Sequence, residues 1–177
     1  MQTALSHLIG TTAALGIMSA LIAASFQISA YQRINIAKRE LQEVTDYISQ
    51  NLYDLIQTAV NFSSTDDVVW KRVSVPIAAS DEKAYSIALS NVSGSISVTA
   101  WVDAEPLIKA SAILPVNCTN AKIRVNAMEA GTQLFPDGHD LVGVIVKTRL
   151  TSGSALPVIW IKVTSDGAMV GLGWMKE

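Results

Sequence analysis

The chain has 177 residues, 50% of them apolar and 16% charged, with a formal net charge of -2. That length gives room for one globular domain plus an appendage, and the charge balance offers no broad basic surface for nucleic acid. One cysteine, Cys118, excludes an intramolecular disulfide and a multi-cysteine zinc site, and with only His7 and His139 as imidazoles a multi-histidine catalytic metal centre is not expected.

Residues 1–32 contain no Lys, Arg, Asp or Glu, and the first formal charge is Arg33. A secretory signal peptide needs a basic start and a short apolar run. Here no basic side chain stronger than His7 precedes the run, and the run from Ala4 to Tyr31 is too long. At helical rise it covers roughly 40 Å, enough to cross a bilayer core. Its texture differs from that of a simple anchor. Gly10, Ala13, Ala14, Gly16, Ser19, Ala20, Ala23 and Ala24 are small, and Gly16, Ala20 and Ala24 recur at i, i+4 and i+8. Such a face lets helix backbones approach closely, so the pattern predicts packing against other apolar helices. An ordinary single-pass anchor with incidental alanines is the simpler alternative.

The apolar run continues into a stripe formed by Ile34, Ala37, Leu41, Val44, Ile48, Leu52, Leu55 and Ala59, which step by three and four. Arg33, Lys38, Arg39, Glu40, Glu43, Asp46 and Asp54 fall mostly away from it. No Pro interrupts residues 1–62, and no Gly follows Gly16 within them. The spacing predicts one helix from about Ala4 to Phe62, apolar all round over 1–32 and amphipathic over 33–62, roughly 90 Å in length. The amphipathic half should lie on something globular.

Composition changes at "NFSSTDD", and residues 63–177 read as a β-rich head. Strands are expected at Val68–Ile77, Tyr85–Asn91, Ser95–Asp103, Leu107–Leu114, Lys122–Met128, Leu141–Thr151, Pro157–Thr164 and Ala168–Met175. "SDEK", "VSG", "AEP", "NCTN", "FPDGHD", "SGS" and "SDG" supply the turns. "DG" after Ser165 signals a tight hairpin between the last two strands. About eight short strands at this spacing imply an antiparallel β-sandwich, immunoglobulin-like, or a small barrel. The fold class is therefore α+β, a long N-terminal helix followed by a β-sandwich head.

The sequence offers no enzyme constellation: it has neither a Walker-type phosphate loop nor a GxSxG elbow. "GLGW" reads as a strand with glycines. "FPDGHD" gathers Asp137, His139 and Asp140 but lacks calcium-loop spacing, and "PDG" is turn chemistry. No catalytic activity, cofactor or metal is expected. His7 stands isolated among apolar neighbours, with no acidic partner in its segment. Three Asn-x-Ser/Thr sequons, at Asn61, Asn91 and Asn117, fall at segment ends where N-linked glycans would project. Trp70, Trp101, Trp160 and Trp174 lie on predicted strands, where core or inter-subunit packing explains them best.

A helix that is apolar and then amphipathic, followed by a β-rich head, resembles type IV pilin-like subunits. "ALSHLIGTTAALG", the all-β head and the sequons resemble the archaeal branch, pilins and archaellins. Position 5 is Leu5, where bacterial pilins usually carry Glu. The resemblance covers the whole chain as architecture and about thirty N-terminal residues in sequence. It implies a structural filament protein whose partners are copies of itself, with Gly10, Ala13, Gly16, Ala20 and Ala24 packing in the filament core. It implies a membrane-embedded precursor and an extracellular filament on the cell surface, serving adhesion, surface attachment or motility. Such subunits are made with a short charged leader. Either Met1 is the mature N-terminus after its removal, or the chain is a relative that is never cleaved. As the charges stand, the positive-inside rule would leave the head in the cytoplasm, and a removed basic leader would reverse this. The alternative is a membrane-anchored, non-polymerising β-domain, similar to the stator-like accessory proteins of archaeal filaments.

Overall fold

A computed structural model of the chain describes residues 2–62, 64–76, 78, 83–119, 121–134 and 143–176. Helix α1 spans Gln2–Phe62 without interruption, as the absence of a breaker predicts. It ends in a tight turn, where the backbone N–H of Ser64 donates to the Asp67 carboxylate at 2.6 Å. The chain divides into two compact units, Met1–Ile36 and Ala37–Glu177.

In the first unit, every described side chain from Ile9 to Ile36 is exposed. In the second, the amphipathic part of α1 buries Ala37, Leu41, Thr45, Ile48, Leu52, Leu55, Ile56 and Ala59. This is the predicted stripe, with Thr45 and Ile56 added. Thr45 is tolerated there because its hydroxyl donates to the Gln42 carbonyl at 2.9 Å. Val44 is half-buried, and Ile34 remains exposed.

The strands are β1 (Val68–Arg72), β2 (Tyr85–Val92), β3 (Ser95–Val102), β4 (Glu105–Asn117), β5 (Ile123–Val125), β6 (Gln133–Leu134), β7 (Gly143–Lys147), β8 (Arg149–Thr151), β9 (Pro157–Thr164) and β10 (Gly167–Lys176). One sheet has the order β1-β9-β10-β7-β6, with β5 on β10; the other has the order β4-β3-β2-β8. Among the described residues every pairing is antiparallel except that of β5 with β10. The expected α+β class with a β-sandwich head is what the molecule has. Its wiring is not the immunoglobulin one. Consecutive β2, β3 and β4 form a meander in one sheet, whereas immunoglobulin domains distribute their early strands over both sheets.

The main core joins α1 to both sheets. Leu41, Ile48, Leu52 and Ile56 meet Ile87, Val98 and Leu150 of one sheet and Ile159, Ile161, Val170 and Leu172 of the other in one buried cluster. The period-2 pattern of β3 puts Ile96, Val98, Ala100 and Val102 into this core. Strand β9 is buried on both faces, because Val158 and Trp160 join a second cluster with Leu134, Val144 and Val146. Trp160 lies over Gly171, where an added Cβ would stand 2.4 Å from its ring, and its Nε1 donates to the Leu172 carbonyl at 2.8 Å.

Several strand boundaries differ from expectation, for identifiable reasons. The run 141–151 is two strands, broken at Thr148, because β7 pairs with β10 while β8 pairs with β2 in the other sheet. The region 122–128 keeps only Ile123–Val125. Asn126 takes a left-handed φ of 50°, and its side-chain amide donates to the Leu89 carbonyl at 2.8 Å. Strand β4 runs past its predicted ends through Pro106 and Pro115, which an edge strand tolerates. β1 stops at Arg72, and Ile77 lies outside the described residues. The β6 pair, two residues long, is too short for a periodicity signal. The last hairpin forms, but its loop is Ser165–Asp166, since Thr164 pairs with Gly167. Gly167, at φ 141°, is needed for another reason: a Cβ there would stand 2.2 Å from the Lys122 carbonyl oxygen that leads into β5.

Candidate functional site

Among the described residues no cavity with catalytic groups singles itself out, so the candidate site is the surface most in need of a partner. Between Ile9 and Tyr31 nine large apolar side chains are exposed, by 51% at Ile22 to 73% at Phe26. No charged residue lies among them. Full burial of a side chain of this size is worth about 1.5–3 kcal/mol, so the segment is strongly driven to leave water. By length and composition α1 is the one described helix able to cross a membrane.

Four hydroxyls of the segment suit an apolar environment. The hydroxyls of Thr11, Thr12, Ser19 and Ser25 donate to the carbonyls of His7, Ile9, Leu15 and Leu21 at 2.8–3.1 Å. Each is thereby satisfied inside its own helix, as burial among apolar groups requires. The predicted packing residues Gly10, Ala13, Gly16, Ala20 and Ala24 advance by three or four along α1 and are all exposed. A Cβ built on Gly10 or Gly16 would meet nothing within 4 Å. Within the single chain, these two glycines are therefore not demanded by packing.

The sequon asparagines are exposed. Asn61 sits in the last turn of α1, its amide nitrogen donating to the Gln57 carbonyl at 2.8 Å. Asn91 and Asn117 lie near one another, which the sequence could not reveal. Ser95 at the start of β3 pairs with Asn117, and Ile96 pairs with Asn91. Between them runs the β2–β3 turn, with Ser93 and Gly94 both at positive φ, and the Asn91 side-chain oxygen accepts the Gly94 N–H at 3.0 Å. Asp137, His139 and Asp140 lie outside the described residues. Among the described residues no three His, Cys, Asp or Glu side chains are grouped to hold a metal ion.

Cys118 is 3% exposed, and burial pushes its thiol up. It should resist iodoacetamide at neutral pH in the folded chain and react fully in denaturant. Rapid alkylation of the native protein would contradict its burial.

A groove of about 500 Å³ that sequence reasoning missed runs along α1, lined by Glu40, Leu41, Glu43, Val44, Tyr47, Ser74, Pro76, Ala78 and Tyr85. Tyr85 closes one side: its hydroxyl donates to the Pro76 carbonyl at 2.8 Å, and desolvation raises its ionisation well above the usual phenol range.

Comparison with protein-family models, with curated proteins and with solved structures finds no match to this chain.

Proposed function

We propose that the chain is the structural subunit of an extracellular, archaeal type IV pilus-like filament that polymerises through its apolar N-terminal helix and serves adhesion, surface attachment or motility. The observation that carries this reading is the uncovered, charge-free stretch from Ile9 to Tyr31, predominantly apolar and striped with small residues. In the precursor, lipid covers it. In the filament, the same segment of neighbouring copies replaces lipid, and the small residues permit close approach. A contact of this kind joins different faces of successive copies and does not close, so it propagates as a helix. The β-heads then form the outer surface.

Electron microscopy of full-length protein after detergent removal tests the reading. Filaments of regular diameter are expected. Discrete particles, each holding its helix in residual detergent, would favour the membrane-anchored, non-polymerising alternative.

On the same reading Asn61, Asn91 and Asn117 face outward and at least one carries a glycan, since a bulky solvated sugar does not fit a subunit interface. Intact-mass measurement of natively produced subunits should exceed the 18.9 kDa polypeptide by whole sugar units. An unmodified mass would remove this support for an extracellular location.

A further inference from the structure

The three sequons stand in different local structures, and these are not equivalent to a sugar-transferring enzyme. We propose that Asn91, at the tip of the β2–β3 hairpin, is the principal site of N-linked sugar on this chain. The inference rests on the extracellular reading above and names the site which that reading leaves open. Transfer of this kind joins the asparagine Nδ2 to the anomeric carbon of a sugar carried on a lipid-linked phosphate. The sugar–phosphate C–O bond breaks, the phosphate leaves with its electron pair, and Nδ2 gives up one proton. The acceptor nitrogen must therefore be free, and the Asn-x-Ser/Thr tripeptide must fit the cleft of the enzyme.

Asn91, Val92 and Ser93 are all exposed. Val92 pairs with Ser95, so Ser93 and Gly94 form a two-residue loop, both at positive φ, 53° and 80°. A hairpin tip of this kind projects from its sheet and can be engaged without unfolding it. The Gly94 N–H donates to the Asn91 Oδ1 at 3.0 Å. That bond fixes the amide's orientation, so its oxygen is occupied and Nδ2 has no partner among the described residues. Beside it a groove of about 490 Å³, also lined by Thr119, Lys122, Arg124 and Asp166, offers room and polar walls for the first sugar. The other sequons differ. Asn61 and Phe62 belong to α1, and Asn61 Nδ2 donates to the Gln57 carbonyl at 2.8 Å. Reaction there requires breaking that bond and unwinding the helix end. In the Asn117 tripeptide the middle residue, Cys118, is 3% exposed, and its N–H donates to the Gly94 carbonyl at 2.7 Å. Uptake of that tripeptide by an enzyme requires pulling Cys118 out of the core.

Site-resolved mass spectrometry of peptides from natively produced full-length subunits tests this. Sugar occupancy at Asn91 should exceed that at Asn61 and at Asn117 severalfold. Asn91→Gln should remove most of the added mass from the intact subunit. Ser93→Ala should do the same, because it deletes the sequon's hydroxyl while leaving the Asn91 side chain to hold the Gly94 N–H. Both variants should fold as the parent does by circular dichroism, and Ser93→Ala keeps the test valid where the longer glutamine disturbs the turn. Sugar concentrated on Asn61 or Asn117, or spread evenly over the three, would overturn the assignment to Asn91 and leave the extracellular reading standing. Subunits that carry no sugar at all would overturn the assignment and also remove this support for an extracellular location.

Discussion

On the proposal that the chain polymerises through its apolar helix, Gly16→Leu and Ala20→Leu are expected to abolish filaments or to change their diameter and symmetry, while the head folds as before. In the single chain the added side chains meet no obstacle, since both positions are exposed and a Cβ on Gly16 has nothing within 4 Å. Any effect must therefore arise between molecules. Forcing extra carbons into a closely packed interface costs about 1–3 kcal/mol per site. Every copy in a polymer repeats the change on several neighbours, so the penalty multiplies. Membrane insertion should survive, because leucine is at least as apolar as the residue it replaces. Electron microscopy of the variants beside the parent checks this, and filaments of unchanged yield and symmetry would refute close packing at the small-residue stripe.

Leu52→Asp is expected to prevent the head from folding. Leu52 is 0% exposed and belongs to the cluster that joins α1 to both sheets. An aspartate there either loses its charge or breaks the contact between helix and sheets, and it also leaves a cavity. The combined penalty of several kcal/mol is a large part of the about 5–15 kcal/mol that holds a typical domain together. Leu52→Ala should fold but lose about 2–5 kcal/mol. Urea unfolding followed by tryptophan fluorescence, to which buried Trp160 contributes, measures both. A cooperative transition in Leu52→Asp at the parent's midpoint would show that α1 is not part of the core.

Much of the helix was legible in the sequence because its signals are local. A charge-free run without Pro reads directly as an apolar helix, and the steps from Ala37 to Ala59 name the side that is buried. The sheets were legible only as individual strands. Ser95–Val102 and Pro157–Thr164 announce themselves by alternation or β-branched content. No local pattern shows that Gly143–Lys147 and Arg149–Thr151 enter different sheets, because that depends on partners remote in the chain. The parallel pairing of Ile123–Val125 with β10 has the same character, and its one visible trace in the sequence, Gly167, equally signals a turn.

By itself, the sequence determined that an apolar segment of membrane-spanning length precedes an amphipathic helix and a β-rich head. These follow from the periodicity and charge of neighbouring residues. Only the tertiary structure decided that the amphipathic half of α1 is built into the head's core, that Asn91 and Asn117 flank one turn, and that a groove closed by Tyr85 runs along α1. Each of these depends on pairings between strands and helix far apart in the chain. Such pairings are set by the packing of whole faces, and no single stretch of residues encodes them.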